Sequence, residues 1–293
     1  MFKKMFFVGR GFSLALAVLF FAHIAYTATE TLRPNAAGDE TSIAYQCPSG
    51  VLHWENVDEA TADENITEIY TSSATYQRDL YNLPAHSVGS GIINFIKIYI
   101  RCLANTTYAY AKPSLKSDAT VTDGTEIALT PNWTTYSQQW NTNPADGQAW
   151  GWSDIDTLQI GVSLKGTGSW YAECTQVYVE VDYTPITAPT VTTNTATLVE
   201  ETSSTGNGTI TVTGGEDPTR YIEWGPNTSY GDSCSAGAGG TGAYSCGMTG
   251  LSPGTLYHYR AKAYNSAGWG YGADSLFLTK PEAPSGFGAT PGE

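Results

Sequence analysis

The feature that most constrains this chain is a two-residue alternation of apolar and polar side chains. In residues 92–102, Ile96, Ile98, Ile100 and Cys102 fall on one face, and Phe95, Lys97, Tyr99 and Arg101 on the other. In residues 174–183, Val177, Val179, Val181 and Tyr183 alternate with Gln176, Tyr178, Glu180 and Asp182. Successive side chains of a strand point to opposite faces, whereas a helix face recurs every 3.6 residues. Each segment therefore reads as a strand with one buried and one wetted face. Residues 134–140 and 158–164 alternate likewise, and the segments between carry the Gly, Pro, Asn and Asp that turns require. Residues 152–156 (WSDID) read as one short helical turn with Ser153 as its cap.

Two Pro-flanked polar stretches, at residues 183–189 and 279–284, look alike and read as module junctions. They divide the chain into residues 1–28, 29–185, 186–280 and 281–293. The first segment carries Lys3, Lys4 and Arg10, then a short apolar run from Leu14 to Tyr26 with small residues Ala25 and Ala28 after it. That is the pattern of a secretory signal peptide. The run is shorter than the roughly 20 apolar residues of a spanning helix. A retained anchor is the alternative, because Tyr26 departs from the small-x-small cleavage pattern. No membrane span is expected once the signal is removed, so an extracellular or cell-surface location follows.

Residues 29–185 predict about eight to ten strands, and hence a two-sheet sandwich of jelly-roll type. Residues 186–280 predict seven strands, near 190–193, 196–200, 208–213, 220–225, 243–248, 256–265 and 274–278. The expected fold class is all-β, two β-sandwich domains in tandem.

Here a resemblance enters. Residues 250–272, GLSPGTLYHYRAKAYNSAGWGYG, resemble the E–F corner and strand F of a fibronectin type III domain, with Leu251, Pro253, Thr255 and Tyr257 at the spacing L-x-P-x-T-x-Y. The resemblance implies that Tyr257 closes a tyrosine corner, its hydroxyl bonded back to the corner backbone. Trp224 departs from that pattern by lying on the probable strand C. Residues 29–185, with TLRPNAAGD, WENVDEATADE and CTQVYVEVDYTP, are similar to a β-sandwich module found near the N-terminus of large secreted prokaryotic or phage proteins. The tail KPEAPSGFGATPGE resembles the opening of another fibronectin-type domain, which implies a truncated longer array.

Cysteines add to the export reading. Cys234 and Cys246 bracket a Gly/Ser/Ala segment and are expected to pair, restricting a floppy loop. Cys102 and Cys174, each at the end of a strand pattern, can pair with one another or stay free, and Cys47 is left over. No CxxC or Cys/His spacing for zinc occurs, and no metal or cofactor is expected.

The net charge of −14, with 14% charged residues, argues against nucleic-acid binding, which needs clustered Lys and Arg. No GxSxG, HExxH, P-loop or dinucleotide-binding pattern is present, and only His53, His86 and His258 lie beyond the signal. No catalytic residue is therefore assigned. The acid run Glu55, Asp58, Glu59, Asp63, Glu64 and Glu68 lacks a calcium-loop pattern and reads as a solvated loop. Five N-x-S/T sequons, at Asn65, Asn105, Asn132, Asn207 and Asn227, mark exposure at most.

Aromatic residues carry the functional expectation. Trp150 and Trp152 share a face if their segment is extended, and Trp170 and Tyr171 lie at the Gly-rich tip KGTGSWY. Sugar rings stack on exposed aromatic faces while polar neighbours bind their hydroxyls, so these four are the candidate ligand-binding residues. Core packing is the competing reading for each of them. The function expected is non-catalytic adhesion or scaffolding. The alternative is a carbohydrate-binding module with a fibronectin-type spacer, attached to a larger polysaccharide-active protein. Extracellular glycans or surface proteins are the partners expected.

Overall fold

The computed structural model describes residues 27–105 and 108–283. The expected signal segment, up to residue 26, and residues 284–293 of the tail lie outside the described residues. Among those described, twenty strands, one short α-helix and one 3-10 turn occur, so the all-β expectation holds.

The first sandwich contains β1 (Ala28–Leu32), β2 (Ala36–Thr41), β3 (Tyr45–Cys47), β4 (Glu68–Thr71), β5 (Gln77–Asn82), β6 (Ile92–Ala104), β7 (Tyr110–Ser117), β8 (Thr120–Asp123), β9 (Ile127–Ala128), β10 (Thr134–Trp140), β11 (Gln159–Lys165) and β12 (Ala172–Thr184). One sheet runs β10-β6-β12-β4-β3, with β1 also on β12. The other runs β2-β5-β11-β7-β8, with β9 also on β7. The alternation read from the sequence decides which face is buried. Ile96, Ile98 and Ile100 stand opposite Val181, Val179 and Val177 across β6 and β12, and all six are fully buried. Fully burying such side chains contributes about 1.5–3 kcal/mol each. Ile160, Val162 and Leu164 of β11 complete the core from the opposite sheet.

The helix α1 (Trp152–Thr157) forms where a helical turn is expected, but its cap differs. Gly151, not Ser153, is the N-cap, and the Asp154 carboxylate accepts the Gly151 N–H at 2.8 Å. An acidic side chain reaching back over the first turn satisfies an otherwise orphaned donor, which Ser153 one position further on cannot do.

The second sandwich contains β13 (Thr190–Thr197), β14 (Ser203–Val212), β15 (Thr219–Gly225), β16 (Asp232–Ala238), β17 (Gly242–Thr249), β18 (Leu256–Asn265), β19 (Gly268–Tyr271) and β20 (Ser275–Leu278). One sheet is β13-β14-β17, and the other is β16-β15-β18-β19 with β20 also on β18. The expected separate strand at 196–200 is absent among the described residues, since β13 runs on to Thr197. The Gly/Ser/Ala segment between Cys234 and Cys246 is not a floppy loop. It forms β16 and β17, which pair with β15 and β14 in different sheets. β17 covers the strand expected at 243–248, whereas small residues hide the signal of β16, where pairing with an established neighbour overrides propensity. Cys234 and Cys246 are disulfide-bonded, so the expected bond ties one sheet of this sandwich to the other. Gly208 of β14 is required by packing: a Cβ there would lie 2.6 Å from the Ala261 Cβ and 2.7 Å from the Tyr244 ring. Trp224 is buried on β15 and belongs to this core.

Candidate functional site

An aromatic surface lies where β3, β4 and the start of β12 meet. Tyr45 stands directly opposite Tyr70, and Tyr70 opposite Glu173. Cys47 stands opposite Glu68. Ile69 and Cys174 point into the core, so their neighbours on either side point outward. Tyr45 and Tyr70 stack with ring centroids 5.3 Å apart and planes 20° apart. Tyr171 meets both edge-on, at 6.3 Å from Tyr45 and 5.4 Å from Tyr70. Its backbone is fixed by an N–H donated to Asn105 Oδ1 at 2.9 Å. Tyr45, on the edge strand, is 48% exposed, and Trp170 beside Tyr171 is 44% exposed.

Two carboxylates sit on the same face. Burial, with the Glu68 charge adding to it, pushes the Glu173 carboxyl up to about 7. Burial also raises Glu68. Glu68 Oε2 is buried and has no hydrogen-bond partner among the described residues. Tyr70 is raised by burial and by Glu68. A Glu173 carboxyl that titrates near neutral pH can both donate and accept hydrogen bonds, and the tyrosine rings offer flat apolar faces. That combination matches a polyhydroxylated ligand better than a cation or a phosphate.

Sequence reasoning named Tyr171 and Trp170 as candidates; Tyr171 lies on this surface, and Trp170, its chain neighbour, is 44% exposed. That reasoning missed Tyr45, Tyr70, Glu68 and Glu173. The strands YQC and EIYT are too short for a period to show, and only pairing brings them to β12. Trp150 and Trp152 do not join this surface. Trp150 is 4% exposed, in the core, and donates its indole N–H to the Trp140 carbonyl at 3.0 Å. Trp152 opens α1, so the segment is not extended and the two rings share no face. Its indole N–H goes to the Gly91 carbonyl at 2.8 Å, and its ring lies 4.8 Å from that of His86. A large ring with one polar atom is satisfied in a core once that atom finds a carbonyl, as both do here.

The acid run is also less solvated than expected. Glu55 Oε2 accepts the Leu52 N–H at 2.7 Å, Glu59 Oε1 and Asp63 Oδ1 both lie 2.6 Å from the Thr67 hydroxyl, and Glu64 pairs with Arg101. Burial raises the Glu59 carboxyl. Among the described residues, no group of three or more His, Cys, Asp or Glu side chains is placed to hold a metal ion. Cys102 and Cys174, a candidate disulfide, are both free thiols in the structure.

All three histidines among the described residues are paired through Nδ1 with an aspartate: His53 with Asp79 at 2.5 Å, His86 with Asp156 at 2.7 Å and His258 with Asp274 at 2.8 Å. In the second sandwich the outer face of β15, β18 and β19 carries a ladder of rings and cations. Arg260 lies over Tyr271 at 4.2 Å and over Tyr230 at 4.7 Å, and Lys262 lies over Trp269 at 4.7 Å. Both cations are paired with Glu223 at its base. At the corner before β18, the Ser252 N–H donates to the Tyr257 hydroxyl at 3.0 Å, so the expected tyrosine corner is present.

No protein-family model and no curated protein matches this chain. Among solved structures it is similar to a fibronectin type III domain of human fibronectin type III domain containing protein 3, at 19% identity over 36% of this chain and 95% of that one, with a TM-score of 0.28. It is similar to the sensor domain of the anti-sigma factor RsgI4 in Pseudobacteroides cellulosolvens, at 14% identity over 35% of this chain and 99% of that one, with a TM-score of 0.27. It is also similar to the beta-1,2-glucanase from Parabacteroides distasonis, at 11% identity over 88% of this chain and 37% of that one, with a TM-score of 0.28. Among the described residues, no helix is long and apolar enough to cross a membrane.

Proposed function

We propose that this chain is a non-catalytic secreted or cell-surface modular protein used for adhesion or scaffolding. The observation that carries this reading is where its ionisable groups go. The histidines are held by aspartates, and Arg78, Arg260 and Lys262 by carboxylates, in bonds that fix loops and sheet faces. Meanwhile both sandwiches turn aromatic sheet faces outward, the form of a contact surface. The second sandwich serves in this reading as a fibronectin-type spacer.

A second reading is favoured by the face of Tyr45, Tyr70 and Tyr171 with Glu68 and Glu173. There the first sandwich is a carbohydrate-binding module of a larger polysaccharide-active protein. Retention of the purified full chain on a glycan array tests it. Tyr45→Ala and Tyr171→Ala are expected to weaken retention by roughly tenfold, the equivalent of about 1.4 kcal/mol. Trp269→Ala, in the other sandwich, is expected to leave it unchanged. Absence of retention on every glycan removes the second reading. Turnover of a retained polysaccharide, abolished by Glu173→Gln, overturns the non-catalytic one.

A further inference from the structure

We propose that Cys102 and Cys174 are a cross-strand oxidation site, closing to a second disulfide within the first sandwich. The two residues are direct partners in the antiparallel register of β6 and β12. Such partners have Cα atoms about 4.5–5.5 Å apart, inside the range of about 4.4–6.8 Å that a disulfide spans. Both side chains point into the same core and both are fully buried. On one side the core rungs are Ile–Val pairs, Ile100 with Val177, Ile98 with Val179 and Ile96 with Val181, and on the other side Ala104 faces Ala172. The thiol–thiol rung falls between these two kinds of pair, at the point where the register slips. The shift between Cys174 and Gln176 leaves Thr175 unpaired with β6, a bulge that bends β12 beside the two thiols.

The geometry also dictates when the bond forms. Burial and the neighbouring Cys174 thiol hold Cys102 well above its ordinary range, so in the closed sandwich it is protonated and inert. Oxidation therefore belongs to folding, before β6 and β12 are covered. The Cys102 thiolate attacks one sulfur of a carrier disulfide, a protein or small-molecule disulfide of an oxidising compartment, and expels the first carrier thiol. The Cys174 thiolate then attacks the Cys102 sulfur of the mixed disulfide and expels the second. Two protein thiols are oxidised and one carrier disulfide is reduced to two thiols. Cys174 adjoins Glu173 and lies three residues past Tyr171, so the bond would pin the strand that carries this part of the aromatic face.

The test supplies the oxidant in vitro and so stands apart from the export reading. The full chain is denatured, reduced, and refolded in excess oxidised and reduced glutathione. Alkylation and non-reducing peptide mapping follow. The expected result is a linked Cys102–Cys174 peptide, one free thiol at Cys47, and a thermal midpoint several degrees above that of chain refolded under full reduction. The Cys102→Ala/Cys174→Ala variant, which keeps a small apolar pair at the site, is expected to lose that part of the redox difference. Recovery of Cys102 and Cys174 as alkylated thiols overturns the proposal, whatever the state of Cys234 and Cys246. Reduced Cys234 and Cys246 in chain isolated from cells would instead count against the export reading.

Discussion

Asp79 Oδ2 lies 2.5 Å from Nδ1 of His53, on the side of β5 that faces the core. Asp79 is fully buried. Its Oδ1 accepts the backbone N–H groups of Ser42 at 2.7 Å and Ile43 at 2.9 Å, and the Tyr81 hydroxyl donates to Oδ2 at 3.3 Å. One carboxylate thus ties the loop after β2, the turn at His53 and strand β5 into a single corner. Removing one partner of a buried, hydrogen-bonded pair costs about 3–5 kcal/mol, because the remaining polar groups stay buried without a partner. Asp79→Ala is expected to lose that much in urea unfolding, and Asp79→Asn less. A loss under 1 kcal/mol for Asp79→Ala would show that water reaches this corner.

The Cys234–Cys246 bond joins strands of opposite sheets and restrains the unfolded chain. A loop of this length contributes about 3 kcal/mol in the chain-entropy model. The Cys234→Ala/Cys246→Ala variant is expected to unfold at lower denaturant with the first sandwich unaffected. Two separate unfolding transitions, only one of which shifts, are the signature to look for.

Glu173 sets a pH dependence whose sign is opposite to that of an ordinary salt-bridged acid. Its folded value, about 7, lies above the unfolded value, so the folded state holds the proton more tightly. Its contribution to stability is present at low pH and is lost as pH rises from the ordinary carboxylate range through about 7. Glu68, Tyr45, Tyr70, Tyr171 and Cys47 are the other titratable groups on that face, and Glu68 is raised in the same direction. Glu173→Gln is expected to flatten the thermal midpoint against pH between 5 and 8, and to exceed wild type at pH 8. An unchanged profile would place the titration elsewhere.

Tyr257→Phe removes one hydroxyl and keeps the ring stacked on Phe277 at 5.6 Å. The Ser252 N–H then loses its acceptor at the corner. The expected cost is about 1 kcal/mol, the worth of a typical neutral hydrogen bond. Equilibrium unfolding of the full chain measures it, and no change would mean that water replaces the hydroxyl.

Much of the fold was legible in the chain. The runs through Ile96–Ile98–Ile100 and Val177–Val179–Val181 are long enough for a period of two to stand out, and their faces are buried as read. The L-x-P-x-T-x-Y run marked a corner that the structure contains. The site was less legible. Tyr45 and Tyr70 sit on strands of three and four residues, where no period can show. Asp79 reads as a polar residue in a strand, yet its partners are the backbone of a loop 36 and 37 residues away. Trp150 and Trp152 looked like platform residues because composition records a ring and not whether its N–H has found a carbonyl.

By itself, the order of residues determined the longer strands, their buried faces and the all-β class, because side-chain alternation is a local property of an extended backbone. Only the tertiary structure decided that Cys102 stands across from Cys174, that Tyr45, Tyr70 and Tyr171 share one surface, and that the residues around Cys234 form a strand in a different sheet from the one holding Cys246. Those outcomes depend on strand pairing between distant segments, which is set by how the whole set of apolar faces can be buried at once.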